Sequence, residues 1–247
     1  MSTSPVPEHG KIACVKCFDS AGTTVDFGPW RFRNDPGHWG ASNPRVLVLG
    51  FSKGSTQVDV YDHGNFDDVA FAGCRDRLKK LLVALNLITM DERIDEKFRA
   101  NEQDFGFASL IRCSVARRSG PAQTLRTSGD VVLRAFKEAA PARLIGNCSR
   151  SFLKPLPTRL QVVVMLGIQD KYVEECRMLV GYLYGSLCAR INDVAYRTDA
   201  VVWVHAAHPS GANGWFDRWL TDAPNSSPMA LKRELAQSAI QHSRYGV

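Results

Sequence analysis

Arg45-Val46-Leu47-Val48-Leu49-Gly50 and Gln161-Val162-Val163-Val164-Met165-Leu166-Gly167 decide the fold of this chain. Each is a short, unbroken apolar run that stops at a glycine, the pattern of a strand buried on both faces. Ala200-Val201-Val202-Trp203-Val204-His205-Ala206 is another such run and leads into His208-Pro209-Ser210. Residues 107–112, Phe-Ala-Ser-Leu-Ile-Arg, suggest a further strand. Helical patterns lie between them. Over 74–87, Leu78, Leu81, Leu82 and Leu85 share one face with Arg and Lys opposite. Further helices are expected at 129–140, 145–154, 171–190 and 228–242. Alternating strands and helices give the α/β class, a three-layer α/β/α domain on a central, mainly parallel four-stranded sheet. Loops at the carboxyl ends of such strands are where sites form. Residues 1–44, rich in Pro, Gly and polar side chains with Phe27, Trp30, Phe32 and Trp39 scattered through them, read as an irregular N-terminal wrap. Residues 51–69 and 116–129 read as loops.

The chain has 247 residues, 45% hydrophobic and 23% charged, which suits one globular domain spanning 1–247. No apolar run approaches the roughly 18–20 residues of a membrane helix, and Met1 to Lys11 lacks a secretory apolar stretch. A cytoplasmic monomer without a membrane partner is therefore expected, and its seven cysteines read as thiols or metal ligands rather than disulfides. A net charge of +6 favours a polyanionic partner, because cationic side chains on phosphates release counterions.

Four segments, in order, resemble the iron–sulfur branch of the uracil-DNA glycosylase superfamily. Cys14-Val15-Lys16-Cys17 resembles its N-terminal Cys-x-x-Cys. Val46 to Gly50 with its small-residue loop resembles the first active-site strand, and Ala70-Phe71-Ala72-Gly73 resembles Pro-Phe-Val-Gly. Ser109-Leu110-Ile111-Arg112-Cys113 resembles Asn-Val-Val-Lys-Cys, with Cys148, Phe152-Leu153 and the 162–167 strand following in the family's order. His208-Pro209-Ser210 resembles the His-Pro-Ser loop. The segments span most of residues 12–215.

The resemblance implies a [4Fe–4S] cluster on Cys14, Cys17, Cys113 and Cys148. The residues themselves also admit a four-cysteine zinc site, or no metal with Cys113 and Cys148 as small buried hydrophobes. Cys74, Cys176 and Cys188 read as core residues, the last two within the helix expected at 171–190.

A glycosylase takes its base out of the stack and holds it by ring stacking and edge hydrogen bonds. By resemblance Phe71 stacks on the base, with Ser109, Phe51 and Ser52 completing the pocket. Ser109 stands where the family has an Asn. A hydroxyl is shorter and less discriminating than an amide, so a wider pocket and a modified pyrimidine are expected rather than uracil alone. A hypermodified phage base, and with it a defence role, extends that reading. His208 is the expected catalytic donor to the leaving base, while His205 reads as structural. Phe51 occupies the position of the branch's Glu, and Cys74 that of a sister branch's Asp. Asp68 and Asp76, which bracket Phe71, are the substitutes expected. Lys53, Arg112, Arg117, Arg118, Ser210, Asn213 and Trp215 are expected to contact DNA, Trp215 as a wedge. The function implied is a monofunctional DNA glycosylase. The alternative is a catalytically inactive module of the same fold that binds damaged or modified DNA.

Overall fold

The computed structural model describes residues 6–244, with side chains described to residue 241. Residues 1–5 of the expected wrap lie outside that range. The remainder of the wrap is irregular chain broken by four short strands: β1 (Gly10–Lys11), β2 (Thr24–Phe27), β3 (Trp30–Arg33) and β4 (Gly37–Gly40). Its aromatics explain the difference. Trp30, Phe32 and Trp39 are buried and alternate with polar residues over short spans, which a composition rich in Gly and Pro conceals.

β5 (Val46–Gly50) follows as expected, then α1 (Ser55–His63), which buries no residue and lies where the sequence reads as a loop. α2 (Arg75–Ala84) buries Leu78, Leu81 and Leu82. β6 (Phe105–Ser109) ends before Arg112, and β7 (Ser114–Ser119) with β8 (Thr124–Arg126) form a hairpin inside the expected basic loop. Tertiary pairing overrides low strand propensity there, because β3 gives β7 a full antiparallel partner. α3 (Asp130–Lys137), α4 (Ala139–Phe152) and β9 (Val162–Leu166) fall close to expectation. α5 (Asp170–Tyr184) stops at Gly185, which holds a φ of 62°. The chain then turns into β10 (Cys188–Asn192) and β11 (Ala195–Thr198), so Cys188 lies on a strand and not in the helix expected. β12 (Val201–Ala206), α6 (Phe216–Thr221) and α7 (Pro228–Arg244) complete the chain.

The main sheet has eight strands rather than four, in the order β1-β4-β6-β5-β9-β12-β11-β10. Its centre, β6-β5-β9-β12, is parallel, and antiparallel strands extend both edges. Strand alternation sorts the core into two faces. Val46, Val48, Val162, Val164, Val202 and Val204 pack with residues of α2, α6 and α7, whereas Leu47, Leu49, Val163, Met165 and Trp203 pack with residues of α3, α4 and α5. Helices thus cover both faces. A second sheet, β2-β3-β7-β8, joins the N-terminal segment to the chain beyond β6. Among the described residues no helix is long and apolar enough to cross a membrane.

Candidate active site and cysteine cavity

Gly50 pairs with Ser109 across β5 and β6, and Leu166 with Ala206 across β9 and β12. The parallel strands therefore deliver Phe51–Lys53, Ser109, Gly167 and the His208 loop to one edge, where parallel sheets build sites. A Cβ on Gly50 would stand 3.8 Å from the Ser109 hydroxyl, so these two strand ends lie side by side.

The His208 loop is held by its own hydrogen bonds. The Ser210 amide donates to His208 Nδ1 at 3.1 Å, and Asn213 Nδ2 donates to the His208 carbonyl at 2.8 Å. A backbone amide can only donate, so Nδ1 accepts and a neutral ring carries its proton on Nε2. Burial holds the imidazole at about 4, below its usual value, which makes the ring neutral at pH 7. A neutral Nε2–H in that setting can stabilise negative charge growing on a leaving group. His205 is structural, as expected: it is fully buried, with Nδ1 2.9 Å from the Gly167 carbonyl. Trp215 is 54% exposed at the start of α6, while the adjacent Phe216 fills the core. The side chain of Arg218 lies 5.5 Å from the Trp215 ring.

Phe71 is buried, 6.2 Å from the rings of Phe98 and Phe107, and its φ of 55° is a left-handed conformation that bulky residues seldom adopt. Arg75 fixes this turn by donating to the carbonyls of Ala70 and Asp67, with its guanidinium 4.3 Å over the Phe98 ring. Nothing in the sequence distinguished Arg75 from the other basic residues of α2. Phe51 is no pocket wall: it is buried against Phe136, 6.1 Å away, in the core on the opposite face from Phe71. Ser52 Oγ is buried with no hydrogen-bond partner, and Ser109 is half-buried.

Asp68 is 57% exposed at its side chain and 3.7 Å from Arg75, and Asp76 is exposed in the first turn of α2. Neither has the enclosed, hydrogen-bonded setting of a water-positioning carboxylate.

The expected cationic grip on DNA is broken up. Lys53 is 1% exposed and Arg112 2%, so neither reaches a phosphate. Arg117 and Arg118 point to opposite faces of β7. Arg117 lies over Trp30 and 3.7 Å from Glu138, and Arg118 pairs with Asp26 at 2.7 Å. Strand alternation separates neighbours that read as one patch in sequence.

Lys53 instead belongs to a buried network. Its amine donates to the Arg112 carbonyl at 2.6 Å and stands 3.2 Å from Asp35. Asp35 accepts from the Ser114 amide and hydroxyl at 2.7 and 2.6 Å. A single Asp between Asn34 and Pro36 carries no sequence signal of this role.

Beside the network, Cys14, Cys17, Cys113 and Cys148 line one small cavity with Arg112, Asn147 and Phe152. Cys14 and Cys17, three apart in sequence, thus share this cavity with Cys113 and Cys148 from two distant segments. Asn147 Nδ2 donates to Cys17 Sγ at 3.1 Å. Burial pushes the Cys113 thiol up to about 12 and the Cys148 thiol to about 11, so a metal would displace their protons. As the side chains stand, no three His, Cys, Asp or Glu among the described residues are arranged to hold one metal ion. The donors present suit a soft, thiolate-bound group once the sulfurs close on it. Cys176 is buried in α5 and Cys74 caps α2, both outside the cavity.

No family model matches this chain, and no curated protein matches it.

Proposed function

We propose that the chain is a DNA glycosylase of the uracil-DNA glycosylase superfamily, of its iron–sulfur branch, acting on a flipped-out altered base. The observation that carries this reading is His208, a neutral donor held by its own loop at the carboxyl edge of the parallel sheet, alongside Ser109 and Ser52. Breaking the N-glycosidic bond sends its electron pair to the base and leaves the sugar cationic. His208 Nε2–H donates to the charge on the departing base, the water oxygen bonds to the sugar carbon, and the proton the water loses passes through solvent to the base. The hydroxyls of Ser52 and Ser109 meet the base edge, and the short reach of Ser109 leaves room for a substituted pyrimidine, a hypermodified phage base included. The exposed Trp215 enters the vacated stack.

Cys14, Cys17, Cys113 and Cys148 would hold a [4Fe–4S] cluster, with zinc as the alternative metal. When bound it supplies a brace rather than electrons, since hydrolysis transfers none. The brace ties the N-terminal segment to the chain beyond β6 and to α4.

The test is incubation with duplexes carrying uracil, hypoxanthine or bulky modified cytosines, followed by alkali cleavage at abasic sites. Abasic sites from a modified pyrimidine are expected, and none from any of these substrates would defeat the reading. The solvated settings of Asp68 and Asp76 favour a second reading, a module that binds modified DNA without cleaving it. Tight binding with no abasic sites would identify that module.

A further inference from the structure

Arg112 is a buried cation that glycosidic hydrolysis does not use. Neither Nη1 nor Nη2 has a hydrogen-bond partner, and the guanidinium lies 5.1 Å over the Phe152 ring, a weak substitute for water. An unpaired buried charge is strongly unfavourable, so its surroundings should contain what pairs it. They hold Cys148, and both residues line the cysteine cavity with Cys14, Cys17 and Cys113. Lys53, the other buried cation here, is already matched by Asp35 at 3.2 Å. The cavity wall thus carries a buried positive charge with no counterpart, besides the exposed Lys16, whose amine donates to Ser151 Oγ at 2.7 Å. Four thiolates around a dicationic four-iron core bring two negative charges.

We infer that Arg112 is the built-in counter-charge of the cysteine site, its free guanidinium nitrogens bonding the sulfurs of a bound cluster and easing the cluster's reduction. This rests on the iron–sulfur reading above. A cation beside the sulfurs favours the reduced cluster, which has gained one electron, so removing it moves the potential down.

The test uses the full chain, prepared anaerobically with iron and sulfide and titrated with dithionite through redox mediators, its potential read by absorbance. Arg112→Gln should load and shift to a more negative potential, while Arg112→Lys, which keeps the charge, should stay near wild type. Arg112→Gln at the wild-type potential, or Arg112→Lys as negative as Arg112→Gln, overturns the inference and leaves the glycosylase reading intact. If Arg112→Gln fails to fold or to load, Arg112→Lys decides. Loaded at the wild-type potential it supports the charge role, and folded but unable to load it overturns that role. A wild-type chain that takes up no iron–sulfur cluster removes the cofactor reading and this inference together.

Discussion

Ser109 and Cys113 are four residues apart, yet they serve regions built on opposite rules. Around Cys113, Lys53, Asp35 and Arg112 are sealed from water, and each polar contact depends on another. Beyond Ser109, along the carboxyl edge, the His208 loop is half open, locally bonded, and runs on to an exposed tryptophan. Removing one partner of a buried charge network strands the rest, whereas an open loop on a rigid sheet can change without unfolding it. Substitutions in the first region should therefore read out as stability, and in the second as activity.

Acid attacks both regions at once and is the harshest test of the difference. Burial holds His38 at about 3 and His205 and His208 at about 4. In the unfolded chain the same rings take up protons below about 6.5. Their folded values lie lower, so the stability they support is complete above 6.5 and lost as pH falls toward 4. With three rings protonating only on unfolding, the slope reaches about 4 kcal/mol per pH unit. Urea titrations at pH 7, 6 and 5 should show it, and a flat profile would mean that these rings are already wet.

Asp35→Ala sharpens the contrast from the closed side. It leaves the Lys53 amine buried without its carboxylate and removes the acceptor of the Ser114 amide. A loss of about 3–5 kcal/mol is expected in denaturant melts. A loss under about 1 kcal/mol would show that Lys53 reaches water, and the closed region would then follow the rule of the open one.

His208→Ala sharpens it from the open side. Removing one donor to a forming anion costs roughly 10²–10³ in turnover, about 2.7–4 kcal/mol of barrier. Melting should move little, and abasic-site formation on a modified pyrimidine is the assay. Unchanged turnover would take His208 out of the chemistry.

The same contrast explains what the sequence disclosed. The apolar runs at 45–50, 161–167 and 200–206 and the leucines of α2 were legible because burial on both faces, or at helical spacing, leaves a local pattern. β2, β3, β7 and β8 were not: the β2–β3 and β7–β8 hairpins are local, but β3 pairs with β7 some 80 residues away, and only the finished sheet justifies strands there. That Cys113 and Cys148 share a cavity with Cys14 and Cys17 was expected only through the resemblance, since Cys14 and Cys17 alone have a local spacing. Lys53 and Arg112 were misread because a cation normally faces water; the Asp35 carboxylate reverses that for Lys53, and the Phe152 ring covers Arg112.

Asp68 and Asp76 are expected to show the smallest effects. Both are solvent-exposed, and the single contact of Asp68 with Arg75, at 3.7 Å, is a surface pair worth at most about 1 kcal/mol. Asp68→Asn and Asp76→Asn should each change stability and turnover by no more than about 0.5 kcal/mol, roughly twofold. If both are silent while His208→Ala is not, the cationic sugar is stabilised without either carboxylate, and another group must place the water. A hundredfold loss in either variant, with melting unchanged, would instead mean that DNA binding closes the carboxylate over the sugar. The open region would then be one whose catalytic group assembles only on its substrate, a step the sealed Lys53–Asp35 network has no freedom to make.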